Sequence, residues 1–297
     1  MFKNLNAKAL GLSATQSETI ELALSFGFRG IDLDIVEFAE EVTSYGLPKA
    51  RRLLESAKLK IGTFALPIEW QADDPTFQGE LTKLSDLAAL AASIGARRAV
   101  GVIVPASNER PYHENFEFYG RRLSDLGRAL EPHGLKLGVG FDAVPASREG
   151  KNFEFIHTLD ALLVLLSTVS APNVGLWLDV WHVWQSGASL DGARQQLTRT
   201  QLVAVSLSDA APADASDRHS ADSRWLPGET GVIDATAILT SLAELGYDGP
   251  VTPLPGRHRL PGMRRDQIVK LAGEKLDGVW KAAGLSPSGK ISASAGR

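Results

Sequence analysis

An aspartate and a histidine three residues apart, Asp179-Val-Trp-His182, close the apolar run Asn173-Val-Gly-Leu-Trp-Leu178. A strand ending in a carboxylate and followed within a turn by an imidazole suits proton transfer, because the carboxylate can orient a ring that exchanges protons near neutral pH. Parallel α/β proteins keep such chemistry at the carboxyl ends of their strands. Arg224 adds a cation able to anchor an oxygen or a nascent oxyanion. Each residue also has a plainer reading: Asp179 as a helix N-cap, His182 as a hydrogen-bonded core histidine between Trp181 and Trp184, and Arg224 as half of a surface ion pair. Asp142 and Asp209 follow two further apolar runs, where a carboxylate can accept hydrogen bonds from a ligand or simply serve a turn. Glu69 and Trp70 follow another, facing either a ligand or solvent. Trp70, Trp181 and Trp225 are aromatics suited to stacking on a ligand face. Glu229, in the turn Pro227-Gly-Glu-Thr-Gly231, reads as structural, and His113, His133 and His157 are assigned no chemistry.

These residues need a frame that brings strand ends together. Short β-type runs are expected at Ala7–Leu12, Gly30–Ile35, Lys60–Leu66, Arg98–Val104, Lys136–Phe141, Val174–Leu178, Leu202–Leu207 and Pro250–Leu254. Helical stretches alternate with them, near Ser17–Phe26, Pro48–Ala57, Gly79–Ile94, Glu114–Pro132, Phe153–Ser170, Leu190–Leu197, Ala235–Leu245 and Arg264–Ala283. Gly27, Gly95, Gly134 and Gly246 each fall between a helix and the next strand, where a residue free to take positive φ ends a helix at least steric cost. Eight β/α units point to an α/β fold of the (β/α)8 TIM-barrel type, with an open doubly wound sheet as the alternative. Residues 1–285 form the expected single domain. The Ser-, Gly-, Ala- and Lys-rich stretch 286–297 is expected to be a disordered tail. The polar stretch Ala210–Ser223 is expected to overhang the site.

Composition closes several doors. A net charge of −4, with 31 basic and 35 acidic residues interspersed along the chain, leaves no electrostatic footprint for nucleic acid or anionic lipid. The absence of cysteine excludes thiol nucleophiles, disulfides and Cys-ligated zinc. No GxGxxG fingerprint follows the first strand and no P-loop occurs, so nucleotide binding has no support. The longest apolar run, Ala161–Val169, is far short of a membrane span, and the first ten residues lack a signal-peptide core. A soluble cytoplasmic protein that binds neither nucleic acid nor membrane is expected, with room for a homo-oligomer.

Five segments together resemble the xylose isomerase-like sugar phosphate isomerase/epimerase family: Gly27-Phe-Arg-Gly-Ile-Asp-Leu33, Gly134-Leu-Lys-Leu-Gly138, Val174-Gly-Leu-Trp-Leu-Asp179 with His182, Leu226-Pro-Gly-Glu-Thr-Gly-Val-Ile-Asp234, and Gly246-Tyr-Asp-Gly-Pro-Val251. Their order and spacing hold over roughly residues 5–285. The resemblance implies a TIM barrel that binds a divalent cation, manganese or magnesium, and isomerises or epimerises small sugars through an enediol-type intermediate. It implies four metal ligands, of which only Asp179 matches. Gly140, Ser206 and Leu254 stand where a Glu, a His and a second Glu would be expected, while His182 and Arg224 fit the two substrate-contacting positions. A hard divalent cation wants several oxygen donors and compensating charge, which glycine, serine and leucine do not supply. A site without the metal is therefore expected, and no cofactor is assigned, although Asp142 and Asp209 are placed where they could rebuild a cation site. The leading expectation is an isomerase or epimerase acting on a small sugar, keto-sugar or polyol, with His182 and Asp179 catalytic and Arg224, Asp142, Asp209, Glu69 and Trp181 binding the carbohydrate. The alternative is a non-catalytic carbohydrate-binding or partner subunit on a degenerate barrel.

Overall fold

The computed structural model describes residues 1–188, 201–256, 260 and 262–291. Its strands, in chain order, are β1 (Phe2–Leu5), β2 (Gly30–Ile31), β3 (Lys60–Ile61), β4 (Phe64–Ala65), β5 (Arg98–Ile103), β6 (Ala106–Ser107), β7 (Lys136–Phe141), β8 (Phe153–Glu154), β9 (Val174–Asp179), β10 (Leu202–Leu207) and β11 (Pro250–Pro253). The main sheet runs β3-β2-β1-β11-β10-β9-β7-β5-β4, all pairs parallel. Its two outermost strands, β3 and β4, are separated in the chain only by Gly62 and Thr63. They are therefore two halves of one stave that pairs with β2 by its first half and β5 by its second. The nine segments make eight staves of a closed TIM barrel.

Helices cover the outside: α1 (Gln16–Ser25), α2 (Ile35–Tyr45), α3 (Leu47–Ala57), α4 (Asp74–Ser93), α5 (Tyr112–Leu130), α6 (Leu159–Thr168), α7 (Val180–Gln185), α8 (Ala235–Glu244) and α9 (Arg265–Ala282). Their starts follow capping chemistry. Thr15, Asp34, Asp73, Thr158, Asp179 and Asp234 each accept backbone N–H groups at a helix N-terminus. Helix α5 buries Phe118, Tyr119, Leu123, Leu126 and Leu130, a stripe with helical spacing turned to the barrel. Gly27, Gly95, Gly134 and Gly246 all take the positive φ expected of helix-closing glycines.

The structure departs from the sequence expectations in several places. The first strand is Phe2–Leu5, and Ala7–Leu12 is a turn in which the Leu10 and Leu12 amides bond to the Ala7 carbonyl. Helix α2 has no counterpart among the expected helices. Phe153–Glu154 is a strand paired antiparallel with β6, so α6 begins only at Leu159. Part of the stretch expected to be disordered is ordered: Leu285 bridges Ile291, and the Trp280 indole donates to the Ser286 carbonyl at 2.8 Å. The helix expected at Leu190–Leu197 lies outside the described residues. No described helix is long and apolar enough to cross a membrane.

Candidate functional site

Two adjoining constructions occupy the carboxyl-terminal mouth of the barrel. The first is a buried ionic cluster. Asp179 ends β9 and caps α7, its Oδ1 accepting from the Trp181 amide at 3.0 Å and the His182 amide at 3.4 Å. Its Oδ2 accepts from Arg224 Nη1 at 2.8 Å. The second guanidinium nitrogen, Nη2, lies 2.8 Å from His182 Nε2. On the other edge of the imidazole, the Ala143 amide donates to Nδ1 at 3.1 Å. Asp142 Oδ1 stands 3.8 Å from that same nitrogen. The Trp181 ring completes the package, with the Arg224 guanidinium 4.6 Å from its centroid.

Burial fixes the electrostatics of this cluster. Asp179 and Arg224 are 7% and 6% exposed. Burial alone would push the Asp179 carboxyl up, but the Arg224 guanidinium and His182, with the hydrogen bonds they donate, hold it below the usual carboxylate range. Burial, with Arg224 acting in the same direction against Asp179 and Asp142, pulls the His182 imidazole below its ordinary value. A neutral ring carries one N–H, so it can accept from only one of these two donors, and both of its edges are occupied by protein groups.

The second construction is a cavity of about 620 Å³ in the barrel mouth. Aromatic surface comes from Trp70 and Trp177, and polar groups come from Asn6, Asp32, Thr63, Ser206 and Thr252. Asp179, His182, Arg224 and Asp142 do not line it. Asp32, which follows β2, keeps part of its surface open to the cavity and is otherwise packed in protein. Its Oδ1 accepts from Asn4 Nδ2 at 2.8 Å and the Thr63 amide at 2.7 Å, while Oδ2 accepts from Asn6 Nδ2 at 2.8 Å. Burial nevertheless pushes its carboxyl above the usual range, against those three donors and the Thr63 hydroxyl.

The residues singled out in the sequence thus fall into separate places. Asp179, His182, Arg224 and Asp142 meet in the ionic cluster. Asp142 also serves its turn, accepting from the Val144 amide at 2.8 Å and the Ser147 hydroxyl at 2.6 Å. Asp209 stands apart and is fully buried. Its carboxylate accepts the Ala210, Thr230, Gly231 and Ile233 amides within 2.8–2.9 Å, tying β10 to the Pro227–Ile233 loop and leaving nothing for a carbohydrate. Glu69 is exposed on the loop after β4 and does not line the cavity. Trp181 is wholly buried, so its face stacks on Arg224 rather than on anything entering the barrel. Asp32 was the residue sequence reasoning passed over. The available signal was the same as for Asp179, a carboxylate closing an apolar run, here in Gly30-Ile-Asp32.

At the four expected metal positions the side chains are either engaged with other protein groups or lack a donor. Both oxygens of Asp179 are engaged. Gly140 has no donor, and a Cβ there would sit 3.3 Å from the Trp177 ring, which lies against it. The Ser206 hydroxyl accepts the Trp177 indole N–H at 2.9 Å, and Leu254 is apolar. Among the described residues no group of three or more acidic, histidine or cysteine side chains is arranged to hold a metal.

Comparison with known proteins agrees with the barrel. The inosose isomerase of Bacillus subtilis (strain 168) is 26% identical over 130 residues, covering 44% of this chain and 43% of that relative's length. The inosose isomerase of Bacillus velezensis is 20% identical over 207 residues, 70% of each chain. Among solved structures, a xylose isomerase domain protein from Alicyclobacillus acidocaldarius superposes with a TM-score of 0.84 at 24% identity, over 95% of this chain and 99% of that one. The IolI protein, crystallised with a bound zinc atom, gives 0.77 at 19% identity, over 95% and 99%. The sequence profile of the xylose isomerase-like TIM barrel matches residues 20–270, and the chain belongs to that family.

Proposed function

We propose that the protein takes a small keto-sugar, keto-cyclitol or polyol into the barrel-mouth cavity and transfers protons next to its carbonyl group without a divalent metal. The observation that carries this reading is the cavity itself. Its volume falls within the roughly 300–1,000 Å³ of small-molecule sites, and its lining pairs aromatic faces with a few convergent polar groups. Trp70 and Trp177 offer apolar surface for the C–H face of a ring. Asp32, Asn6, Thr63, Ser206 and Thr252 offer the mixture of acceptors and donors that ring hydroxyls require. The names of the inosose isomerase relatives point to the same substrate class.

The ionic cluster supports the metal-free part of the reading. Arg224 supplies Asp179 with the positive charge that a cation would otherwise bring, and Trp177 fills the space over Gly140. In the family's metal-binding members the cation polarises the carbonyl. Here polarisation falls to the hydroxyls and amides around the cavity, each able to donate to an oxygen that gains charge as the neighbouring C–H bond breaks.

Calorimetry against a panel of ketoses, cyclitols and keto-cyclitols, paired with proton NMR of solvent deuterium entering the bound ligand, tests both halves. Binding with deuterium exchange that persists in chelator-treated protein is expected. Exchange lost to chelator and restored by manganese would overturn the metal-free reading. A second reading, a carbohydrate-binding protein without catalysis, is favoured by one observation, the closure of both His182 nitrogens; binding without any exchange would establish it.

A further inference from the structure

Resting on the proposed reaction, we infer that Asp32 is the group that carries the proton in this barrel, and that it does so alone, which makes the reaction a carbonyl shift between neighbouring carbons. Three features of the cavity lead there. Asp32 is the carboxylate held inside the cavity, whereas Asp34 and Glu37, which also line it, belong to its rim. Asp34 caps α2 through Oδ1 and pairs with Lys8 through Oδ2, and Glu37 is exposed on the first turn of α2. Next, the hydrogen bonds to Asp32 are unequal. Oδ1 accepts two donors and Oδ2 only one, so Oδ2 keeps a lone pair for a substrate. Finally, the donors form a chain that fixes the carboxyl plane: Asn4 Nδ2 also bonds the Thr252 hydroxyl at 2.9 Å, and Asn6 Oδ1 accepts the Ala9 amide at 2.8 Å. A carboxylate held this way is oriented before the ligand arrives.

The balance of the step is simple. Asp32 Oδ2 takes the proton from the carbon beside the carbonyl; the C–H electron pair forms the carbon–carbon double bond and the carbonyl π pair moves onto oxygen, giving an enediolate. The proton of the neighbouring hydroxyl passes to that oxygen. The protonated Asp32 then returns its proton to the former carbonyl carbon as the second oxygen becomes the new carbonyl. Nothing is oxidised or reduced overall, and no co-reactant is needed. Delivery from one carboxyl on one face preserves that face, which suits a carbonyl shift. Inverting a centre would need a second group on the opposite face, and His182 does not line the cavity.

The raised carboxyl of Asp32 suits this role, since a general base works best when its pKa lies closer to the operating pH. The other charged groups lining the cavity are Asp34, Glu37 and Lys8 at its rim, and the buried Tyr247 is a further titratable group within electrostatic reach of Asp32.

Wild type, Asp32→Asn and Asp32→Ala are compared for ligand binding, deuterium exchange and urea unfolding, with the keto-sugar or keto-cyclitol that binds best in the panel as probe. Asp32→Asn is expected to bind within about tenfold of wild type and to lose exchange by at least a thousandfold. The acid limb of the wild-type exchange profile should vanish with it. Asp32→Ala keeps the test open if donor–donor contact with Asn6 unfolds the asparagine variant. Folded variants that keep exchange within tenfold of wild type would overturn Asp32 as the proton carrier while leaving the proposed reaction standing. Wild-type protein that shows no exchange with any member of the panel overturns the reaction and this inference together. Product NMR showing an inverted centre with the carbonyl unmoved would overturn the single-group mechanism.

Discussion

Replacing Arg224 by Met gives a quantitative test of the ionic cluster, because methionine keeps much of the stem and removes the charge and the donors. Arg224 and Asp179 form an ion pair at 2.8 Å with side chains 8% and 9% exposed. Removing one partner of such a pair leaves a buried charge uncompensated, at a cost of about 3–5 kcal/mol. For a domain of this size that corresponds to a fall of roughly 6–15 °C in melting temperature, at about 2–3 °C per kcal/mol. The pH dependence has a definite sign. In the wild type the Asp179 carboxyl is lowered, so its contribution is present above the unfolded value, about 3.9, and fades as pH falls through the folded one. In Arg224→Met the opposing push of burial is no longer overcome, so Asp179 takes up a proton more readily and the variant recovers ground as the medium acidifies. The gap between the two proteins is therefore largest at neutral pH and narrows toward pH 4. Equilibrium urea unfolding at pH 7, 5.5 and 4 measures it. Adding Asp179→Asn, which keeps the N-cap acceptor, should recover part of the loss. A loss below about 1 kcal/mol, or one that does not change with pH, would show that the cluster is not the buried charge pair described here.

Three other outcomes follow from contacts already described. Gly140→Glu, which places an acid at one expected metal position, should cost about 1–3 kcal/mol by crowding the Trp177 ring; stoichiometric manganese in this variant by metal analysis would contradict the packing argument. Asp209→Ala strips the acceptor from four amides, two of them buried, and should destabilise by about 2–4 kcal/mol in urea unfolding. Trp177→Phe removes the indole bond to Ser206 from the cavity wall and should cost about 1 kcal/mol of stability while weakening carbohydrate binding in calorimetry, whereas unchanged affinity would place the ligand away from β9.

Much of the barrel was legible because its strands are apolar runs bounded by glycines that must take positive φ, as at Gly95 and Gly134. Where the pattern misled, composition was a poor guide to pairing. Ala7–Leu12 is as apolar as a strand but closes a turn, while Phe2–Leu5 pairs on both sides and hides polar Asn4 inside the barrel. Such an inward polar residue breaks the hydrophobic signal at the place where a site is being built. The Asp179, His182 and Arg224 grouping was legible from local spacing and from the resemblance. What spacing could not reveal was that these three satisfy one another, or that the open space lies toward β2. Asp32 bonds Asn4 and Thr63, and Asn4 in turn bonds Thr252, residues brought together only by barrel closure. Asp209 shows the opposite case, a rim carboxylate claimed by the next residue's amide and by three more that lie 21 to 24 residues ahead.

The guanidinium beside Asp179 also bears on how the protein meets changing surroundings. A bound ion stabilises a fold by an amount that rises with the logarithm of its concentration and disappears when a competitor takes it away. A positive charge carried on the chain has no dissociation constant. The counter-charge of Asp179 is acquired when the chain folds, at the same moment and in the same amount whatever the ionic composition outside. Under the proposed metal-free reading, the mouth of this barrel is thereby insulated from metal scarcity and from mismetallation alike. In exchange, Arg224 cannot open a coordination position to a reacting oxygen.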